Sequence, residues 1–143
     1  MDIGLDVAGT HRALHRLTDA GLYDRTRNQA RVAQAEEFLL HGVKYVFPAV
    51  RGGETRGVPA AWAAPPLAAM LGPTTELPPV WPHQHGDSRG IELVPLHPVV
   101  PELALRGGKL AERLALVDAV RAGDARIRRL AESELVHQLR GAA

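Results

Sequence analysis

The chain contains no cysteine, which excludes disulfides and thiolate metal sites together. Aromatic residues make up only 4% of its 143 residues, too few for the stacked rings that read single-stranded nucleic acid. No apolar run approaches the length needed to cross a bilayer. The opening Met1-Asp2-Ile3-Gly4-Leu5-Asp6 has neither the positive region nor the apolar stretch of a signal peptide. The expectation is a cytoplasmic protein without membrane association. Nor does charge of one sign dominate: 17 Lys and Arg against 16 Asp and Glu leave +1, so attraction for nucleic acid has to come from local placement. Ser88 and Ser133 are the only serines, and neither sits in a nucleophile-elbow pattern. Glu36 and Glu37 are adjacent on a helix and diverge. No enzyme and no cofactor are expected.

What the chain does have is a globular apolar fraction of 45% and an uneven supply of its 14 glycines and 11 prolines. These concentrate between Pro48 and Pro101. Three parts follow: residues 1–47, helical; 48–101, Pro/Gly-rich with short strands; and 102–143, helical. Together they make one compact domain.

Hydrophobic spacing predicts a helix from Val7 to Ala20, with Val7, Thr10, Leu14 and Leu17 on one inward face. Asp6 suits its N-cap and Gly21 its C′ position. Leu22 and Tyr23 read as the start of a strand, and Arg25-Thr26-Arg27-Asn28 as a polar turn. A second helix is expected over 30–46 and is stopped by Pro48; Gly42 inside it signals a close helix contact. Arg51 to Gly57 reads as a loop by composition, with Glu54 available to Arg51 or Arg56. Short helical turns are expected over 59–64 and 66–71, an extended run over 78–82, and a strand over 90–95. Helices over 109–121 and 124–139 close the chain, the second capped by Asp124 and ended by Gly141. The apolar stripe of the second comprises Ile127, Leu130, Ala131, Leu135 and Leu139.

The stretch from Ile3 to Leu22 carries the functional hypothesis. It resembles the turn and second helix of bacterial winged helix-turn-helix regulators of the MarR-like kind, truncated at its N-terminus. Gly4 falls in the turn, Leu5 follows it, Asp6 opens the helix, Leu14 and Leu17 face inward, and Ala20-Gly21-Leu22 leads into the wing. His41 to Pro48 and Arg51 to Pro59 resemble bacterial winged-helix proteins of unassigned role, and the likeness continues through Trp62, Trp81 and the C-terminal helices. The resemblance implies a regulator that binds double-stranded DNA and dimerises, or meets a partner protein, through its C-terminal helices. The implied fold is mainly α with minor β: a partial winged helix-turn-helix, the Pro/Gly-rich middle and a C-terminal helical pair.

On that reading the outer face of the first helix enters the major groove, where Thr10, His11, Arg12, His15 and Arg16 meet base edges and phosphates. Arg25 and Arg27 on the wing contact the backbone. Only five residues precede Asp6, so the two supporting helices are absent from the chain. The apolar face must then be covered by the rest of the chain, a second copy or an upstream segment. The alternative is a winged-helix remnant that acts as a protein-interaction module without binding DNA.

Two further clusters merit weighing. His83, His85 and Asp87 lie close together, and on a strand both imidazoles would face one side as ligands for Zn²⁺ or Ni²⁺; a solvated polar loop is the favoured alternative. Trp62 and Trp81 read as core anchors for the middle segment.

Overall fold

A computed structural model describes residues 4–141; Ile3, the first residue of the motif stretch, lies outside them. The described chain is mainly α-helical with minor β structure. None of its helices is long and apolar enough to cross a membrane.

The first helix, α1 (Val7–Asp19), starts where Asp6 Oδ1 accepts the Gly9 N–H at 2.5 Å. It stops in a Schellman turn: Gly21, at φ +80°, donates to Thr18 O and the Leu22 N–H donates to Leu17 O at 2.9 Å. The chain passes directly into an antiparallel hairpin, β1 (Tyr23–Asp24) and β2 (Gln29–Ala30). Asp24 Oδ1 accepts the N–H groups of Thr26 at 3.0 Å and Arg27 at 3.2 Å, and so fixes the loop. Asn28 takes the left-handed conformation this loop needs (φ +53°) and accepts the Tyr23 hydroxyl hydrogen bond.

The expected second helix is continuous but not uniform. It runs as α2 (Val32–Glu37), a π-helical turn (Phe38–Gly42) and α3 (Val43–Val46). Gly42 closes the π-helical turn. A Cβ there would lie 3.0 Å from the ring of Phe38, four residues earlier in the same helix. The Arg140 guanidinium meets Glu36 at 2.8 Å and ties α2 to the end of the chain. That hydrogen bond, aided by charge and opposed by burial, holds the Glu36 carboxyl below its ordinary value.

Composition misleads most over 51–57, which forms no loop. Those residues begin β3 (Arg51–Pro59), the longest strand. It pairs antiparallel with both β4 (Pro79–Pro82) and β5 (Ser88–Leu93), while β4 and β5 pair parallel, so three strands close on themselves. Such a small closure leaves no room for side chains where backbones cross, which is why glycine is required there. A Cβ on Gly57 would lie 2.2 Å from Trp81 O, and one on Gly90 2.0 Å from Pro78 O. Between β3 and β4 come a 3₁₀ turn (Ala61–Ala63) and α4 (Leu67–Leu71), as expected. Glu54 pairs across the sheet with Arg89 at 2.7 Å, not with Arg51 or Arg56. Both partners are largely solvated, so Glu54→Ala is expected to cost under about 1 kcal/mol in chemical denaturation.

Three helices complete the chain: α5 (Val100–Arg106), α6 (Lys109–Ala122) and α7 (Ala125–Gly141). Gly141 is the last residue of α7 among the described residues. The helix α6 is the centre of the core. Ala115 through Val120 are all buried, because α7 packs on one side and the 3₁₀ turn, α3 and α5 on others. Leu116 and Leu135 are fully covered, each contributing about 2 kcal/mol by removal from water. The stripe on α7 is therefore spent inside the chain: Ala131 and Leu135 are buried, and Ile127, Leu130 and Leu139 pack against the same core.

Candidate nucleic-acid interface

With 3.6 residues per turn, α1 has two opposed faces. His11, Arg12, His15 and Arg16 share one, and all four are exposed. Val7, Thr10, Leu14 and Leu17 share the other, the face expected to point inward. It does not. Val7 is 88% exposed, Leu17 39% exposed, Thr10 exposed and Leu14 half-buried. The reason is that α1 packs chiefly on β1, while the other apolar elements are committed to the α6-centred core. Leu5, Val7 and Leu14 instead line a shallow, open recess with Thr10 and His11. Near its start the chain comes close to Val99: a Cβ on Gly4 (φ +81°) would lie 2.8 Å from a Val99 methyl.

Positive charge outnumbers negative on this unit. Residues 4–31 carry five arginines, Arg12, Arg16, Arg25, Arg27 and Arg31, against three aspartates. Among the described residues, Arg12, Arg16 and Arg25 make no salt bridge; Arg27 reaches Asp24 only at 4.0 Å. The His15 Nε2 lies 3.6 Å from Asp19 Oδ2, one turn along. Thr10 returns its hydroxyl to Asp6 O at 2.9 Å, so its donor is occupied within the helix. Asp6 and Asp19 temper the field at the two ends of α1, and Asp24 does so at the hairpin base.

The hairpin loop brings Arg25 and Arg27 out beyond the end of α1, both exposed. Arg25 also lines a cleft with Arg31, at the junction of α1, the hairpin and α2. Arg31 was not singled out by the sequence, although an arginine directly before a helix and after a basic turn is the available signal. The Schellman turn at Gly21 and the Arg31 N–H to Leu22 O bond at 2.9 Å fix the angle between α1 and the hairpin. Two exposed arginines thus lie on the helix and two on the loop that follows it.

The histidine cluster has different duties. His83 and His85 sit in a turn after β4, not on a strand. His83 Nδ1 accepts the His85 N–H at 3.0 Å, which leaves its proton on Nε2 to donate to Glu102 at 2.8 Å. Both ring nitrogens are thus occupied in linking this turn to α5. Asp87 is exposed beside Arg56 and Arg89. Among the described residues, no group of three His, Cys, Asp or Glu side chains converges as a metal site.

Trp81 is 1% exposed and donates from Nε1 to Asp118 at 2.8 Å; Trp62 is half-buried with the Arg51 guanidinium 5.0 Å from its ring centroid. His41, by contrast, is on the surface. Comparison with family models, curated proteins and solved structures finds no match to this chain.

Proposed function

We propose that the chain is a DNA-binding transcriptional regulator of the helix-turn-helix type, with α1 as the major-groove helix and the β1–β2 hairpin as its wing. The observation that carries the reading is the set of exposed arginines on α1 and the hairpin, of which Arg12, Arg16 and Arg25 make no salt bridge among the described residues, displayed on a helix whose turn leads straight into a two-stranded loop. That order, helix, tight glycine turn, hairpin, is the order of recognition helix and wing in a partial winged helix. Arg12 and Arg16 have the fork geometry to pair with guanine O6 and N7 or with phosphate, while Arg25 and Arg27 suit phosphate. The net charge of +1 is consistent with a local rather than a global attraction.

The test is binding to duplex DNA from the region upstream of the chain's own gene, measured by gel shift with the folded protein. Arg16→Ala is expected to weaken a specific site by about 1–3 kcal/mol while leaving nonspecific binding nearly unchanged, if Arg16 reads a base. A change equal on both DNAs assigns Arg16 to phosphate instead.

One observation favours a second reading, a protein-interaction module without DNA binding. The uncovered apolar face of α1, with Val7 88% exposed, is suited to a partner protein. Under that reading Val7→Asp abolishes co-purification of a partner, and the arginine substitutions change nothing measurable.

A further inference from the structure

A cleft of about 490 Å³ lies away from the basic unit, between the α4 region, the loop over 72–78 and the start of α7. That volume falls in the range of small-molecule sites. Its apolar wall includes Trp62, Leu71, Leu77 and Ile127. Leu71, Trp62 and Ile127 are themselves packed against the core, and Arg51 lies over the Trp62 ring, so this wall is held in place before any ligand arrives. Glu76 and Arg126 supply charges of opposite sign at the same cleft. Neither side chain has a salt-bridge partner among the described residues. Asp124 is also present, but its Oδ1 is committed to the Ile127 N–H at 2.9 Å.

This pattern selects the ligand by charge. A purely anionic molecule would meet Arg126 but also face Glu76 and Asp124. A purely cationic one would face Arg126 unpaired, and a neutral apolar one would dehydrate both signs without replacing their water. A molecule carrying both charges and an apolar body satisfies the whole lining. We propose that this cleft binds an α-amino acid or dipeptide with a large apolar side chain, its carboxylate at Arg126, its ammonium group at Glu76, and its side chain against Trp62, Leu71 and Ile127. This inference does not rest on the DNA reading.

The protein offers a built-in reporter, because it has only two tryptophans and Trp81 is enclosed and hydrogen-bonded to Asp118. Titration of the full chain, followed by tryptophan fluorescence and by calorimetry, should show saturable binding of L-phenylalanine or phenylalanyl-phenylalanine with Kd below about 1 mM. Phenylacetate and phenethylamine carry the same ring with one charge each and should bind at least about tenfold more weakly. Arg126→Ala and Glu76→Gln should each weaken the zwitterion by about tenfold without moving the thermal midpoint, since both residues are exposed. Trp62→Phe should remove the fluorescence change but keep the heat. No saturable signal with either zwitterion up to about 10 mM, equal binding of the singly charged analogues, or indifference to both charge substitutions overturns the proposal.

Discussion

Gly57→Ala is expected to lower the free energy of unfolding by about 3 kcal/mol or more, enough to leave a domain of this size barely folded. The added methyl would lie 2.2 Å from the Trp81 carbonyl oxygen and 2.8 Å from its carbonyl carbon. Both atoms are backbone, and β3 pairs with β4 and β5 at this point, so neither strand can retreat without losing ladder hydrogen bonds. The same holds at Gly86, where a Cβ meets Gly57 O at 2.1 Å, and at Gly90, where it meets Pro78 O at 2.0 Å. Gly53 is the control. It lies in the same strand with open space around it, so Gly53→Ala is expected to stay within about 0.5 kcal/mol of wild type. Urea denaturation of the four variants checks this. A Gly57→Ala midpoint matching that of Gly53→Ala contradicts the closed three-stranded arrangement.

Asp118→Ala should be comparably damaging, by about 3–5 kcal/mol. Asp118 is 1% exposed on α6, where its carboxylate accepts from Trp81 Nε1 at 2.8 Å and from Arg121 Nη1 at 2.5 Å. Arg121 goes on to donate to Phe47 O at 2.7 Å and Pro48 O at 3.3 Å, at the corner between α3 and β3. Removing the carboxylate strands a buried cation and a buried indole N–H together. Trp81→Phe tests the smaller part of this network and should cost less, because Arg121 still neutralises Asp118.

Burial pushes the Asp118 carboxyl above its ordinary value of 3.8, and Arg121 and the Trp81 N–H pull it down without cancelling that. The folded state therefore holds this proton more tightly than the unfolded chain does. Its contribution to stability is fully present below 3.8 and is lost as pH rises through the higher folded value. Asp118→Asn has no such titration. Relative to wild type, that variant should gain stability as pH rises from about 4, although it is less stable in absolute terms because Arg121 loses its counter-charge. A pH-independent difference between the two in denaturant titrations runs against this assignment.

Local punctuation was the most legible feature of the sequence. Asp6 and Gly21 bracket α1 as expected, and Asp124 caps α7 through the Ile127 N–H, because capping depends on one residue and its immediate neighbours. Long-range consequences were not legible. Gly52, Gly53 and Gly57 look like loop residues in isolation, yet Gly57 is glycine because two strands cross there. The short helix α5 was not expected; it begins across the boundary drawn at Pro101, a first-turn proline that costs a helix nothing. Asp118 left one signal: an acid embedded in the apolar run from Leu114 to Val120, with an arginine three positions on.

For the candidate interface, periodicity divided α1 into two faces, but the apolar one does not point inward. Periodicity could not say whether anything covers the apolar one, since amphipathicity reports a preference and not the presence of a partner. Basic residues of α1 and of the loop were identifiable from sequence, and the structure leaves Arg12, Arg16, Arg25 and Arg27 exposed. Arg31 joined them only through the hairpin, which returns the chain to the end of α1.

The most direct measurement is the salt dependence of duplex DNA binding, followed by fluorescence anisotropy with the whole chain. If Arg12, Arg16, Arg25 and Arg27 each meet a phosphate, the slope of log K against log salt should be about −3 to −4. Replacing all four by alanine should flatten that slope toward zero while leaving the circular dichroism spectrum and thermal midpoint unchanged. A folded wild-type protein that fails to bind duplex DNA at about 50 mM salt, or a slope that survives the fourfold replacement, contradicts the account.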